Sequence, residues 1–279
     1  MKTIKELMTT GIGTQGTLLL ERKIYDTLID AAAKKLVGRS QAAFIVPPAG
    51  IPGSSVDINT VDVDSMKVYA IAEGAAIPLD TVAYSTANLR PAKYGVRIAI
   101  TKEMMEDAKW DLMAHNIKVA GIEMAENEDS LILTVLDGAT NVVSGGAAIT
   151  IANITRAMQY LEDNDYTSTT LIVGPEVAND IRNIATFVES DKLGTREMFD
   201  TGFIGRIFGM DVIQFSAAVG TTTRAYVLDK NHAFIGAEKR PVTVERYDDA
   251  THDLSGASVT QRVVFALLRD LAVARITTT

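Results

Sequence analysis

The sequence predicts an α+β fold for a flat, extended subunit. Three features carry that prediction: alternating short runs over residues 51–100, a helical pattern over residues 102–136, and a strand-rich end. At 1.5 Å per residue, a helix over 102–136 is ~50 Å long, more than a rounded domain of this size needs.

Residues 1 to about 20 are polar and hold Gly11, Gly13 and Gly16, the composition of an arm lying outside the core. Residues 21–36 place Tyr25, Leu28, Ile29, Ala32 and Leu36 at helical spacing, with Gly38 as the stop. The next stretch alternates: Val56 and Ile58, Val61 and Val63, then Val68, Ala70 and Ala72. Its phase slips between runs, as in bulged and twisted strands. Gly74, Pro78 and Asp80 supply a turn, and a return strand ends in Tyr94, Val96, Ile98 and Ile100. Such a long two-stranded excursion is marginal alone and calls for support from its own domain or a second subunit. Thr101 caps the long helix, whose first turns carry Glu103, Glu106 and Asp107.

Beyond the helix, Ile154, Ala157, Met158 and Leu161 mark a short helix and Thr170–Val173 a buried strand. Pro175 opens another helix, and Met210–Phe215 and Ala225–Leu228 are further strands. Residues 189–203 read as a charged surface loop. Val242 and Val244 mark a strand. The apolar runs Val259–Leu268 and Leu271–Ile276 suit a sheet buried on both faces.

Composition narrows the function. The formal charge of −8 disfavours bulk attraction to nucleic acid or an anionic membrane, and the absence of cysteine excludes disulfides and thiolate metal sites. No apolar run reaches the ~18 residues of a membrane span, and the first residues lack the apolar stretch of a secretion signal, so a soluble, intracellularly made protein is expected. The GxGxxG pattern at Gly11–Gly16 has no strand before it and reads as arm. Asp57, Asp62 and Asp64 lack the glycine turn of a calcium loop and fit the solvated side of a strand. His115, His232 and His252 are far apart, and Ser144 lacks the strand–elbow–helix setting of a nucleophile. Met104, Met105, Met113 and Met124 read as adaptable packing. No catalytic residue, metal or cofactor is expected.

The order of elements and several local passages resemble the major capsid proteins of tailed bacteriophages, the Hong Kong 97 fold. AEGAAIP (72–78) and LRPAKYGVRIAITKEMMEDA (89–108) are similar to the family's passage from its extended loop into its spine helix. ENEDSLILTVLDG (126–138) is similar to the exit from that helix, and FGMDVI (208–213), AYVLDKNHAFIG (225–236) and QRVVFALLRDLAVAR (261–275) to the closing third.

The resemblance implies an N-terminal arm and first helix over 1–44, an extended loop over 45–100, a peripheral domain from 101–136 with 237–279, and an axial domain over 137–236. It implies pentamers and hexamers closing into an icosahedral shell around double-stranded DNA, assembled in the host cytoplasm. Portal and decoration proteins are expected partners. Some members carry an extra N-terminal scaffolding domain; here only some 50 residues precede the loop, which implies either a separate scaffolding protein or a chain in its mature form. Lys67, Glu73 and Arg90 on the excursion, and Asp191, Lys192, Arg196 and Glu197 in the charged loop, are the expected subunit contacts. Some members join subunits by a lysine–asparagine isopeptide bond, for which Lys67 is the matching lysine. No asparagine follows Asn231, so noncovalent shells are expected. Two alternatives stand beside this reading: an encapsulin, the related nanocompartment shell around a cargo enzyme, and a soluble α/β enzyme, which requires a pocket with convergent polar groups.

Overall fold

The structure is a computed structural model and describes residues 38–51, 53–62, 66–107, 111–184, 205–217 and 219–278. The arm, the helix expected over 21–36, and the loop containing Asp191, Lys192, Arg196 and Glu197 lie outside them.

The described chain starts with a 3-10 turn at Gly38–Gln41 and continues through β1 (Ile45–Val46), β2 (Val56–Asp62), β3 (Ala83–Leu89) and β4 (Ala92–Thr101). Helices α1 (Lys102–Asp107) and α2 (Leu112–Leu136) follow, then β5 (Asn141–Gly146), α3 (Ile151–Glu162), β6 (Thr170–Val173) and α4 (Pro175–Asn183). The last third is β7 (Arg206–Ile207), β8 (Met210–Gln214), β9 (Arg224–Leu228), β10 (Phe234–Asp249), β11 (Leu254–Leu267) and β12 (Val273–Thr278).

These strands form three sheets. The largest has the order β5-β12-β9-β6-β8-β7, a second the order β1-β10-β11-β4, and β2 with β3 form a separate hairpin. Alternation sorts the central strands of the large sheet. Leu171, Val173, Ala225, Val227, Ala274 and Ile276 face α3 and α4, where Ile154, Leu161, Val177 and Ile181 complete a core. Their neighbours Ile172, Tyr226, Leu228 and Val273 point the other way, onto Ile132, Leu133 and Leu136 of α2. A sheet covered on both faces needs apolar side chains at successive positions, which is why these segments read as continuous apolar runs. The N-terminal half of α2 instead lays Met113, Ile117, Ala120 and Met124 on Ile100, Ala257 and Val259 of the four-stranded sheet. One helix thus underlies both sheets.

Three expectations need correction. The helix expected over 102–136 is two helices. Thr101 Oγ1 accepts from the Met104 N–H at 3.3 Å and caps α1, but Asp111 Oδ1 accepts from the Ala114 N–H at 3.0 Å and starts α2 afresh. A short acceptor side chain favours a cap over a helix interior. The remaining α2 is ~37 Å long. Second, the return strand is not one piece: β3 pairs with β2, whereas β4 pairs with β11 from Ala92↔Val263 to Thr101↔Leu254. Pro91, with no N–H to give a ladder, stands at the change of partner. Third, Val68, Ala70 and Ala72 form no strand; they are exposed, and Lys67 beside them is not on a strand either. The division expected at 236/237 falls within β10. Strand β12 lies between β5 and β9 in the large sheet, while β10 and β11 belong to the smaller one.

Candidate assembly surface

The hairpin runs in register from Val56↔Leu89 to Asp62↔Ala83. Its two strands are stitched by polar side chains: Thr60 and Ser85 hydroxyls lie 2.6 Å apart, Thr86 Oγ1 donates to Asn59 Oδ1 at 3.0 Å, and Asn88 donates to Asp57. Its apolar anchors gather at the root, where Ile51 and Leu89 are buried with Ile235 and Ala237 of β10. Beyond that root the pattern inverts. Half of the large apolar side chains exposed among the described residues lie between Val61 and Tyr84. Val68, Ile77 and Leu79 are the extreme cases, at 103%, 79% and 93% exposure. A subunit rarely exposes so many large apolar side chains in one segment without a partner to cover them.

Of the residues singled out on this excursion, Lys67 donates its backbone N–H to Asp80 Oδ2 at 2.9 Å, which folds the tip onto itself. Glu73 is in the turn with Gly74, whose φ of +79° is the left-handed conformation that glycine adopts without strain. Arg90 is exposed and donates from Nε to Asn88 Oδ1 at 3.1 Å. All three therefore sit on the exposed excursion, but Lys67 and Glu73 belong to its tip and Arg90 to its root.

The spine-like helix α2 carries two buried polar joints that the sequence did not single out. Near its middle, Arg39 is held between Glu128 at 3.3 Å and Glu238 of β10, while Asp129 Oδ1 accepts the Gly38 N–H at 2.9 Å. Burial pushes the Glu128 carboxyl above its usual range against the opposing pull of Arg39. At the C-terminal end, Asp137 receives Tyr226 Oη at 2.6 Å and the guanidinium of Arg224, and Arg275 donates to the Asp137 carbonyl at 2.7 Å. Burial first, then the hydrogen bond to Asp137, raises the Tyr226 phenol far above its ordinary value. Strand register brings these partners together, since Arg275 pairs with Tyr226 across β12 and β9. The only sequence signal was an unusual density of acids on an otherwise apolar helix end, and their arginine partners lie 87 to 138 positions away.

The far end of the four-stranded sheet is a charged turn. Asp249 accepts from the Thr251 N–H at 3.0 Å and lies 2.8 Å from His252 Nδ1, which holds its carboxyl below the usual range. Lys102 pairs with Asp253 at 2.7 Å, which raises its ammonium pKa. His232 is hydrogen-bonded to Asp229 at 2.8 Å and Tyr166 packs near its ring; His115 is on α2. The three histidines are thus in separate places, and among the described residues no group of His, Asp or Glu is arranged to hold a metal. A shallow groove of about 350 Å³ runs between β4 and α2, lined by Val96, Ile98, Asn116, Val119 and Glu123. Its polar lining is Arg97, Asn116 and Glu123, and the Arg97 guanidinium lies 4.2 Å from the centre of the Tyr247 ring. No helix among the described residues is long and apolar enough to cross a membrane.

Comparison with known proteins agrees with this geometry. The sequence model of a phage capsid protein family matches residues 83–276. No curated protein matches the sequence. Among solved structures, one from Mycobacterium phage Che8 superposes with a TM-score of 0.69 at 16% identity, covering 80% of this chain and 84% of that one. One from Microbacterium phage Oxtober96 gives 0.70 at 15%, covering 88% and 91%. The asymmetric unit of the bacteriophage PhiM1 mature capsid gives 0.68 at 11%, covering 88% and 87%. At such identities these likenesses speak to the fold, and the fold they share is the Hong Kong 97 type.

Proposed function

Because this chain belongs to the phage capsid protein family, we propose that its subunits gather into pentamers and hexamers and close an icosahedral shell around double-stranded DNA. The chain is a major capsid protein, a structural component of a virion, and its family is not an enzyme class. The family match favours the capsid over the encapsulin reading and over an α/β enzyme.

The observation that carries the proposal is the apolar excursion tip. Its side chains contribute little to the stability of one subunit, and burying each against a neighbour is worth about 1.5–3 kcal/mol. In this reading the large sheet with α3 and α4 forms the axial domain around the symmetry centres. The four-stranded sheet with α1 and most of α2 forms the peripheral domain, and the hairpin reaches across to the next subunit. Lys67, Glu73 and Arg90 are then contact residues, joined by the loop containing Asp191, Lys192, Arg196 and Glu197. A separate scaffolding protein, a portal and decoration proteins complete assembly in the host cytoplasm. The acidic subunit encloses DNA without gripping it.

Electron microscopy of the purified protein tests this directly. Hollow particles of uniform curvature are the expected result; a discrete monomer or small oligomer under all assembly conditions overturns it. Boiled particles are expected to run as one band near 30 kDa, because no asparagine follows Asn231 to accept a lysine.

A further inference from the structure

Three cations reach the main chain of the excursion, two at the root of the hairpin and one near the far end of β2. Lys239 Nζ donates to the Ile51 carbonyl at 2.9 Å and also to the Gly53 carbonyl. Arg262 donates to the Pro91 carbonyl at 3.2 Å, and Arg269 to the carbonyl of Val61, already on β2. All three side chains belong to or directly follow β10 and β11, all are half-buried, and none is in an ion pair among the described residues. Each therefore spends its charge on the main chain of the excursion, before, on and after the hairpin strands.

Lys239 is placed there by a local irregularity. The β10–β11 register steps from Glu238↔Val263 to Arg240↔Arg262, so Lys239 is the extra residue of a bulge. A bulge bends the strand and re-aims a side chain that regular alternation sends elsewhere. Cations bound to peptide carbonyls report the position of the backbone itself, whatever side chains the excursion carries, and charge-assisted bonds of this kind are the stronger ones.

We infer that Lys239, Arg262 and Arg269 form a three-point clamp that sets the direction in which the hairpin projects, and through it the angle at which neighbouring subunits meet. The second half of this inference rests on the capsid reading; the first does not. The clamp acts through leverage. Seven strand residues span ~23 Å, so once Arg269 releases the far end of β2, a tilt of about 10° at the root displaces that end by roughly 4 Å, enough to unseat an apolar side chain from its pocket.

The absence of cysteine makes the test clean. Spin labels are attached to exposed positions, one on the hairpin through Ala83→Cys and one on α2 through Lys118→Cys. The labelled chain is diluted with unlabelled chain so that only distances within one subunit are read. With the clamp intact, the distance distribution is narrow. Lys239→Met and Arg269→Met, made singly and together, keep the aliphatic stems and remove the donors. The expected result is a distribution that broadens or shifts by several ångström with little change in melting temperature, while Lys239→Arg keeps the narrow form. Electron microscopy of the same variants is expected to show mixed particle diameters.

Distributions unchanged in both single variants overturn the clamp. A broadened distribution with uniform diameters overturns its role in curvature. Failure of the parent chain to form particles at all counts against the shell function instead, and leaves the label distances as an independent test of the clamp.

Discussion

The large sheet and the hairpin use much the same residue types and put them to opposite use. Leu171, Ile172 and Val173 of β6 are 0–3% exposed, enclosed by helices on both faces. Val68, Ile77 and Leu79 on the excursion are almost fully exposed, although each is as apolar as its counterpart in β6. The hydrophobic effect rewards both sets equally, but only the first is rewarded within one subunit. The difference is one of completion. The sheet finds its covering layers in its own chain, and the excursion tip finds none among the described residues.

The strongest way to break this comparison is to remove the excursion. Val56 and Leu89 are paired residues, so an Asn-Gly turn joining them in place of residues 57–88 closes the root in a favoured two-residue hairpin. The remaining subunit is expected to fold, with Leu89 still buried, and to form no particles by light scattering. Normal particles from this deletion would show that the exposed apolar tip has no part in assembly.

The next experiment exchanges the two environments at the scale of one side chain. Leu171→Ala is expected to cost about 2–5 kcal/mol in subunit stability, through lost burial and the cavity left in a core that cannot collapse onto it. Leu79→Ala is expected to change subunit stability by less than about 0.5 kcal/mol and to weaken particle assembly instead. Denaturant unfolding of both variants, followed by particle yield, checks the contrast. Equal loss of subunit stability at both sites would sink it.

A smaller effect is expected where three strands of the four-stranded sheet, β10, β11 and β4, are crowded. A Cβ built on Gly256 meets the Ile98 carbonyl oxygen at 2.3 Å and the Tyr247 ring at 2.4 Å, while the Tyr247 hydroxyl donates to that same carbonyl at 2.9 Å. Gly256→Ala must displace Tyr247 from its place over the glycine, and a loss of about 1–3 kcal/mol is expected from chemical unfolding. Tyr247→Ala with Gly256→Ala is expected to recover part of it, since the ring is then gone.

The smallest predicted effect is a pH dependence. Burial raises the Glu128 pKa in the folded chain above its ordinary 4.5. A carboxyl shifted in this direction contributes full stability below its unfolded pKa and loses it as pH rises through the folded value. Mild acidification from neutrality is therefore expected to stabilise the subunit through this group, and Glu128→Gln is expected to flatten that part of the profile. Asp249 behaves oppositely. His252 lowers its pKa, so its contribution is present above 3.8 and is lost as pH falls through the folded value. A Glu128→Gln variant that kept the full parental slope between neutrality and pH 4.5 would remove Glu128 from this account.

The elements whose surroundings are uniform were legible in the sequence. Thr170–Val173 and the helix opened by Pro175 match the predicted spans because burial on all sides leaves one reading for an apolar run or a proline-capped helix. The order of the motifs identified the capsid architecture without any coordinates, since each passage preserves a local constraint on turning, capping or packing. Competing local preferences misled the reading elsewhere. Asp111 reads as a tolerable helix residue until its side chain is seen to cap Ala114, and β4 reads as the return of a hairpin until β11 is seen beside it.

Partner choice was beyond the sequence altogether. Periodicity specifies which face of a strand is apolar, but not which strand will lie alongside, because backbone hydrogen bonds are the same for every candidate. Only the tertiary structure decided that β12 inserts between β5 and β9, that Arg224 and Arg275 meet at Asp137, and that a bulge turns Lys239 toward the root of the hairpin. The contacts at Asp137 and Lys239 join residues 87 or more positions apart, and such pairs are selected by the packing of whole layers after local structure has formed.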